Sequence, residues 1–143
     1  MNSTGLTSLN TYGAVLSFAI ELEGALQRFY ESAAPVAGDH EEQFEDYART
    51  SAKRKQRLIG IRQDNVTEIV LEPITGLNGA NYSVASAPPT SAAEALTAAR
   101  RIEARAQQFY LDSGPKLNVT EPRRAFQKLA QENAERLNDL GEQ

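Results

Sequence analysis

The sequence predicts an all-α fold: a four-helix bundle made of two helical hairpins joined by one long crossover. Three observations predict it. Apolar residues recur at three- and four-residue intervals through most of the chain, turn-forming residues cluster at three places, and the two halves repeat each other.

The elements follow in order. Helix α1 is expected from about Asn10 to Ala34, with Pro35 and Gly38 marking the turn after it. Helix α2 is expected to start at Asp39, where Asp39 and Glu42 have the spacing of a capping box. It runs to about Leu71, with a break near Gly60 or Asp64-Asn65, before Glu72-Pro73 stops it. Gly76, Asn78, Gly79, Asn81, Pro88 and Pro89 make 73–91 the crossover. Helix α3 begins after Thr90 or Ser91 and ends at Gly114-Pro115, and α4 starts near Thr120 with Pro122 in its tolerant first turn. Hairpin one thus covers about 10–72 and hairpin two about 92–141, in a single domain over 1–143.

Composition narrows the function. A chain of 143 residues has the length of one ordinary domain with one core. Its 15 Lys+Arg against 19 Asp+Glu, a net charge of -4, supply no broad positive field for nucleic acid or anionic lipid. The sequence has no cysteine and a single histidine, His40, which excludes disulfides, thiolate nucleophiles and multi-histidine metal clusters. The first residues lack a charged segment followed by an apolar one, and no run approaches the roughly 18 apolar residues of a membrane span. The expectation is a cytoplasmic protein that binds neither membrane nor nucleic acid.

The repeat is specific to the residue. Glu23, Gln27, Phe29, Tyr30 and Pro35 recur 80 positions later as Glu103, Gln107, Phe109, Tyr110 and Pro115. Phe44 and Ala48 recur 82 positions on, as Phe126 and Ala130. Several matches at nearly constant offset in one helical context point to duplicated helix-turn-helix units.

The inward stripe of a bundle helix advances by three then four residues. In α1 it reads Leu16, Ala19, Glu23, Leu26, Tyr30, and in α3 Leu96, Ala99, Glu103, Ala106, Tyr110. In α2 it reads Phe44, Tyr47, Ser51, Arg54, Leu58, Ile61, and in α4 Phe126, Leu129, Asn133, Arg136, Leu140. One carboxylate therefore sits mid-stripe on α1 and α3, and a small polar residue with an arginine on α2 and α4.

Glu six residues before Phe-Tyr, paired with helices carrying polar residues at i and i+3, resembles the rubrerythrin-like branch of the ferritin-like superfamily. The resemblance implies a ferritin-like fold and a di-iron site with one Glu from each of two helices and a Glu-x-x-His pair from each of the others. Carried over by position, Glu23 and Glu103 match the lone glutamate ligands, Ser51 and Asn133 replace the paired glutamates, and Arg54 and Arg136 replace the histidines. Two of those replacements are permanent cations that cannot coordinate iron. Two carboxylates and two guanidiniums sum to zero charge, and burying either type alone costs several kcal/mol. Glu23 and Glu103 are therefore expected to pair with Arg54 and Arg136, with Ser51, Asn133 and the tyrosines completing the hydrogen bonds. The competing reading leaves Arg54 in the solvated run Lys53-Arg54-Lys55-Gln56-Arg57, which lacks the interleaved aromatics of a nucleic-acid surface.

Other candidates read as ordinary surface. Glu132 and Glu135 lie one residue, about 100° of helix, from the inward stripe and are expected as flanking acids. Glu21, Glu45, Asp46 and His40 read the same way. A second apolar stripe on α1, Val15, Phe18, Leu22, Ala25 and Phe29, needs a further partner. Together with Ile69-Val70-Leu71 at the end of α2 and Ile74 and Leu77 in the crossover it suggests a homodimer interface, the alternative cover being the crossover itself. No catalytic residue, cofactor or metal is assigned. The favoured expectation is a non-catalytic structural or interaction module. The alternative that the resemblance implies is an iron- or manganese-dependent oxidase, peroxidase or iron-handling protein with a reduced metal site.

Overall fold

The computed structural model of the chain describes residues 9–65 and 74–141. Its elements are α1 (Tyr12–Ala33), α2 (Glu41–Asp64), α3 (Ala92–Ser113) and α4 (Thr120–Leu140), with short 3-10 turns between them and no β-strand among the described residues. Local chemistry accounts for most boundaries. Thr11 caps α1, its hydroxyl accepting from the Ala14 amide at 3.0 Å, and Ser91 caps α3 by accepting from the Glu94 amide at 3.1 Å. Proline opens the 3-10 turns that end α1 and α3, at Pro35 and Pro115.

Two boundaries differ from expectation. The capping box at Asp39 does not form, because Gly38, at a φ of 62°, leads into a 3-10 turn over Gly38–His40 and α2 begins only at Glu41. Helix α2 ends at Asp64, the second of the two break points expected, where the Asn65 side chain donates to the Ile61 carbonyl at 2.8 Å and to Glu121 at 2.9 Å. The continuation expected to Leu71, with Glu72-Pro73 as its stop, lies outside the described residues.

The side-chain bonds set the directions of the helices. Tyr30 of α1 bonds Glu103 of α3 while Tyr110 bonds Glu23, so α1 and α3 run antiparallel. Arg136 of α4 reaches Ser51 of α2 and Arg54 reaches Glu132, so α2 and α4 also run antiparallel. With antiparallel hairpins, α2 and α3 must then be parallel, and the chain has to travel the length of the bundle between them. That requirement explains the long crossover. Ile74 donates its amide to the Asn10 carbonyl at the start of α1. Tyr82 then bonds Asp112, Ser83 accepts from Arg105, and Ala85 accepts from Arg101, so the segment climbs α3 from its last turn toward its first.

The core is continuous, with one aromatic cluster at each of two levels, because Tyr30 stands at the height of Glu103 and Tyr110 at the height of Glu23. In hairpin one the Tyr30 ring meets Phe44 edge-on at 5.1 Å and Phe29 at 5.2 Å. In hairpin two Tyr110 meets Phe126 at 5.0 Å and Phe109 at 5.2 Å. Such edge contacts add about 0.5–1.5 kcal/mol each beyond the area they bury.

The second stripe on α1 is largely covered within the chain itself. Val15, Leu22 and Phe29 are buried within the single chain, and Phe18 and Ala25 are half-buried. Phe18 packs on Phe109 of α3 at 4.9 Å, and Tyr82 of the crossover packs on the same ring at 5.5 Å. Ile74, Leu77 and Val84 join the same core. The cover on this stripe comes from α3 and the crossover, so it does not form an open face for a second copy. Of the rest of the expected interface, Ile74 and Leu77 pack into the chain's own core, and Ile69-Val70-Leu71 lies outside the described residues. Among the described residues no helix is long and apolar enough to cross a membrane.

Phe109 is fully buried at the junction of α1, α3, α4 and the crossover, whereas Leu111 two residues later is half-exposed. Phe109→Ala should cost about 3–5 kcal/mol in urea unfolding, and Leu111→Ala no more than about 0.5 kcal/mol. Similar losses for the two would contradict this packing.

Candidate functional site

Four helices each point one or two polar side chains at the middle of the bundle. Glu23, Ser51, Glu103 and Asn133 have no exposed surface, and Arg54 and Arg136 are 8% and 4% exposed. All six positions singled out in the sequence therefore lie in the core. Arg54 is buried while its neighbours Lys53 and Arg57 are exposed, so the solvated-run reading does not hold for it.

The Glu103 half is closely knit. Arg136 Nη1 lies 2.9 Å from Glu103 Oε2, Asn133 Nδ2 donates to Oε1 at 2.8 Å, and the Tyr30 hydroxyl donates to Oε2 at 2.6 Å. The guanidinium is itself held by the Ser51 hydroxyl, the Tyr47 carbonyl and the Thr50 hydroxyl, and it lies over the Tyr47 ring at 4.7 Å. Burial works most strongly against its charge, but Glu103, Tyr30 and Glu23 together outweigh that and leave its pKa above the ordinary arginine value.

The Glu23 half is looser. The Tyr110 hydroxyl donates to Glu23 Oε2 at 2.6 Å, matching the Tyr30–Glu103 bond. Arg54 Nη1, however, stands 3.9 Å from Glu23 Oε1, and the tight partner of Arg54 is Glu132, at 2.9 Å. Glu132 was expected as a flanking acid with no part in the centre. The long side chain lets Arg54 reach the partly exposed Glu132 on α4, a possibility that helix spacing alone does not reveal. Thr50, one residue off the inward stripe, and the Tyr47 carbonyl were likewise missed, the carbonyl because a backbone acceptor leaves no mark in a residue pattern.

Burial raises the Glu23 pKa above the ordinary carboxylate value, and Glu103 adds to the rise. Arg54, Tyr110 and Arg136 pull the other way without cancelling it. Tyr30 and Tyr110 are pushed well above the ordinary phenol value by burial and by the carboxylate each bonds. Both hydroxyls therefore stay protonated at neutral pH and act as hydrogen-bond donors to the carboxylates.

A pair of metal ions does not fit this donor set. Both oxygens of Glu103 are engaged, the second carboxylate faces an arginine, and no imidazole stands among the six. Among the described residues no group of three or more His, Asp or Glu is placed to hold a metal ion. His40 is half-buried at the bundle end, hydrogen-bonded to Gln43 at 2.7 Å. No family model matches the chain, and neither a curated protein nor a solved structure is found to be similar to it.

The two halves should respond differently to mutation. Arg136→Ala strands a buried carboxylate and should cost about 3–5 kcal/mol, and Arg54→Ala should cost clearly less; equal losses in urea titrations would refute the asymmetry. The raised pKa of Glu23 has a definite sign. The folded protein holds that proton more tightly than the unfolded chain, so the contribution to stability is full below the unfolded value of about 4.3 and is lost as the pH rises through the folded value. Glu23→Gln should therefore stabilise the protein at pH 7, with the gain shrinking as the pH falls toward about 4.3. A gain independent of pH, followed by thermal unfolding across pH 4–8, would contradict the assignment.

Proposed function

We propose that the chain is a duplicated, ferritin-like four-helix protein in which an ion-pair centre stands where a metal centre would, and that it works as a non-catalytic structural or interaction module. The observation that carries this reading is the placement of the Arg136 guanidinium. It lies against Glu103 with further bonds to Ser51, Thr50 and Tyr47, so the charge a metal ion would supply comes from an arginine.

Duplication is supported by the pairing of Tyr30 with Glu103 and Tyr110 with Glu23, at 2.6 Å in both cases. The aromatic trios Phe29-Tyr30-Phe44 and Phe109-Tyr110-Phe126 add to it, because they pack with similar geometry at equivalent points of the two hairpins. The topology of two hairpins and a bundle-long crossover is the one a ferritin-like fold uses. An arginine within hydrogen-bond distance of a carboxylate competes directly with any cation for that carboxylate, which weighs against the iron- or manganese-dependent alternative.

The test is metal analysis of the purified protein after expression in iron- and manganese-supplemented medium. Metal well below one equivalent per chain is expected; two equivalents of iron would overturn the reading. The combined variant Ser51→Glu, Arg54→His, Asn133→Glu, Arg136→His restores the ligand types that the resemblance implies, and it should gain iron where the parent chain does not.

A further inference from the structure

The two halves of the polar centre carry the same residue types at most positions and yet are not equally satisfied. Glu103 receives a bond at each oxygen. Among the described residues, Glu23 Oε1, Arg54 Nη1 and Asn133 Oδ1 are buried without a hydrogen-bond partner, and all three belong to the residues of this centre. A buried polar atom left unpaired costs about 1–3 kcal/mol, and three gathered in one centre call for a group that joins them.

We propose that the Glu23 half of the centre is a binding site for one water molecule, held between Glu23 Oε1 and Arg54 Nη1 with Asn133 Oδ1 as its third partner.

The separation favours this ligand. At 3.9 Å, Glu23 Oε1 and Arg54 Nη1 are too far apart for a direct hydrogen bond. Two bonds of about 2.8 Å meeting near a right angle at a water oxygen span about 4 Å.

The donor and acceptor count favours it as well. With Glu23 ionised, the site offers two acceptors and one donor, and water donates twice while accepting from Arg54. With Glu23 protonated, the site offers two donors and one acceptor, and the same water turns over to accept twice and donate to Asn133. A cation would face the Arg54 guanidinium, and an anion would face the Glu23 carboxylate and the Asn133 carbonyl. Neither can serve both protonation states. Since burial raises the Glu23 pKa, a ligand that suits both forms lets the centre take up or lose a proton without repacking.

The sequence explains why only one half has the site. Asn133 reaches Glu103 with its carboxamide at 2.8 Å, but the answering position in hairpin one is Ser51, which is too short to do the same for Glu23. The Ser51 hydroxyl is turned to Arg136 instead. A groove of about 330 Å³ between α2 and α4, with Arg54 and Arg136 among its lining and Asp46, Glu132, Glu135 and Asp139 around them, supplies a polar route for exchange with bulk solvent.

The test is a high-resolution crystal structure of the full chain. The expected result is one density peak within about 2.6–3.2 Å of both Glu23 Oε1 and Arg54 Nη1, with no anomalous signal. A direct Glu23–Arg54 hydrogen bond with no peak between them, or a peak that scatters as a metal or chloride ion, would overturn the proposal. In a crystal of Ser51→Asn, the longer side chain should reach Glu23 Oε1 and the peak should be lost. A peak unchanged in that variant would show that the shortness of Ser51 does not create the site. In solution, cross-relaxation between water and the Asn133 carboxamide protons should be present in the parent chain, and its absence would count against the proposal.

Discussion

A carboxylate with no access to water has to be satisfied by the protein around it, and this bundle contains two. Glu23 and Glu103 sit at mid-height on α1 and α3 with no exposed surface. Each is bonded by the tyrosine that the other hairpin contributes, so neither hairpin can satisfy its own glutamate alone. The arginines complete the requirement and in doing so link α4 to the backbone of α2 through the Tyr47 carbonyl. Burial of these charges is not a source of stability in itself, since a well-packed apolar centre often does as well. It does make the arrangement unforgiving, because any other register of the hairpins leaves charge unpaired.

That constraint is met unequally. Around Glu103 the acceptors and donors match, while around Glu23 they match only in part, and the difference follows from one side chain. Asparagine at 133 reaches across to its carboxylate, and serine at 51 cannot. Arg54, released from a close contact with Glu23, takes Glu132 at the bundle edge. The centre therefore combines a fully hydrogen-bonded half with a half that is only partly satisfied, and the groove between α2 and α4 has both arginines in its lining.

Topology follows from the same bonds. Because the cross-hairpin pairs run in opposite directions along α1 and α3, α2 and α3 are parallel and the crossover must return along the bundle. In returning it places Ile74 and Tyr82 in the core and hands carbonyls to Arg101 and Arg105. A segment read as loop from its glycines and prolines is thus part of the wall around α1 and α3.

The sequence by itself determined the helices, the two short turns, the long connection and the residues facing the centre. Each of these depends on spacing along one element: a three-four repeat puts Glu23 or Arg136 on the buried side whatever lies opposite. Only the tertiary structure decided which partners those side chains take. Arg54 could meet Glu23 or Glu132, because its stem reaches both, and the rotation of α4 settles the choice. The apolar stripe on α1 announced that something must cover it, but apolar surface carries no address, and α3 and the crossover supplied the cover. The start of α2 at Glu41 was hidden for a related reason, since the 3-10 turn at Gly38 competes with the capping box over only two residues. Periodicity is local and legible; partner choice depends on reach, rotation and competition across the bundle.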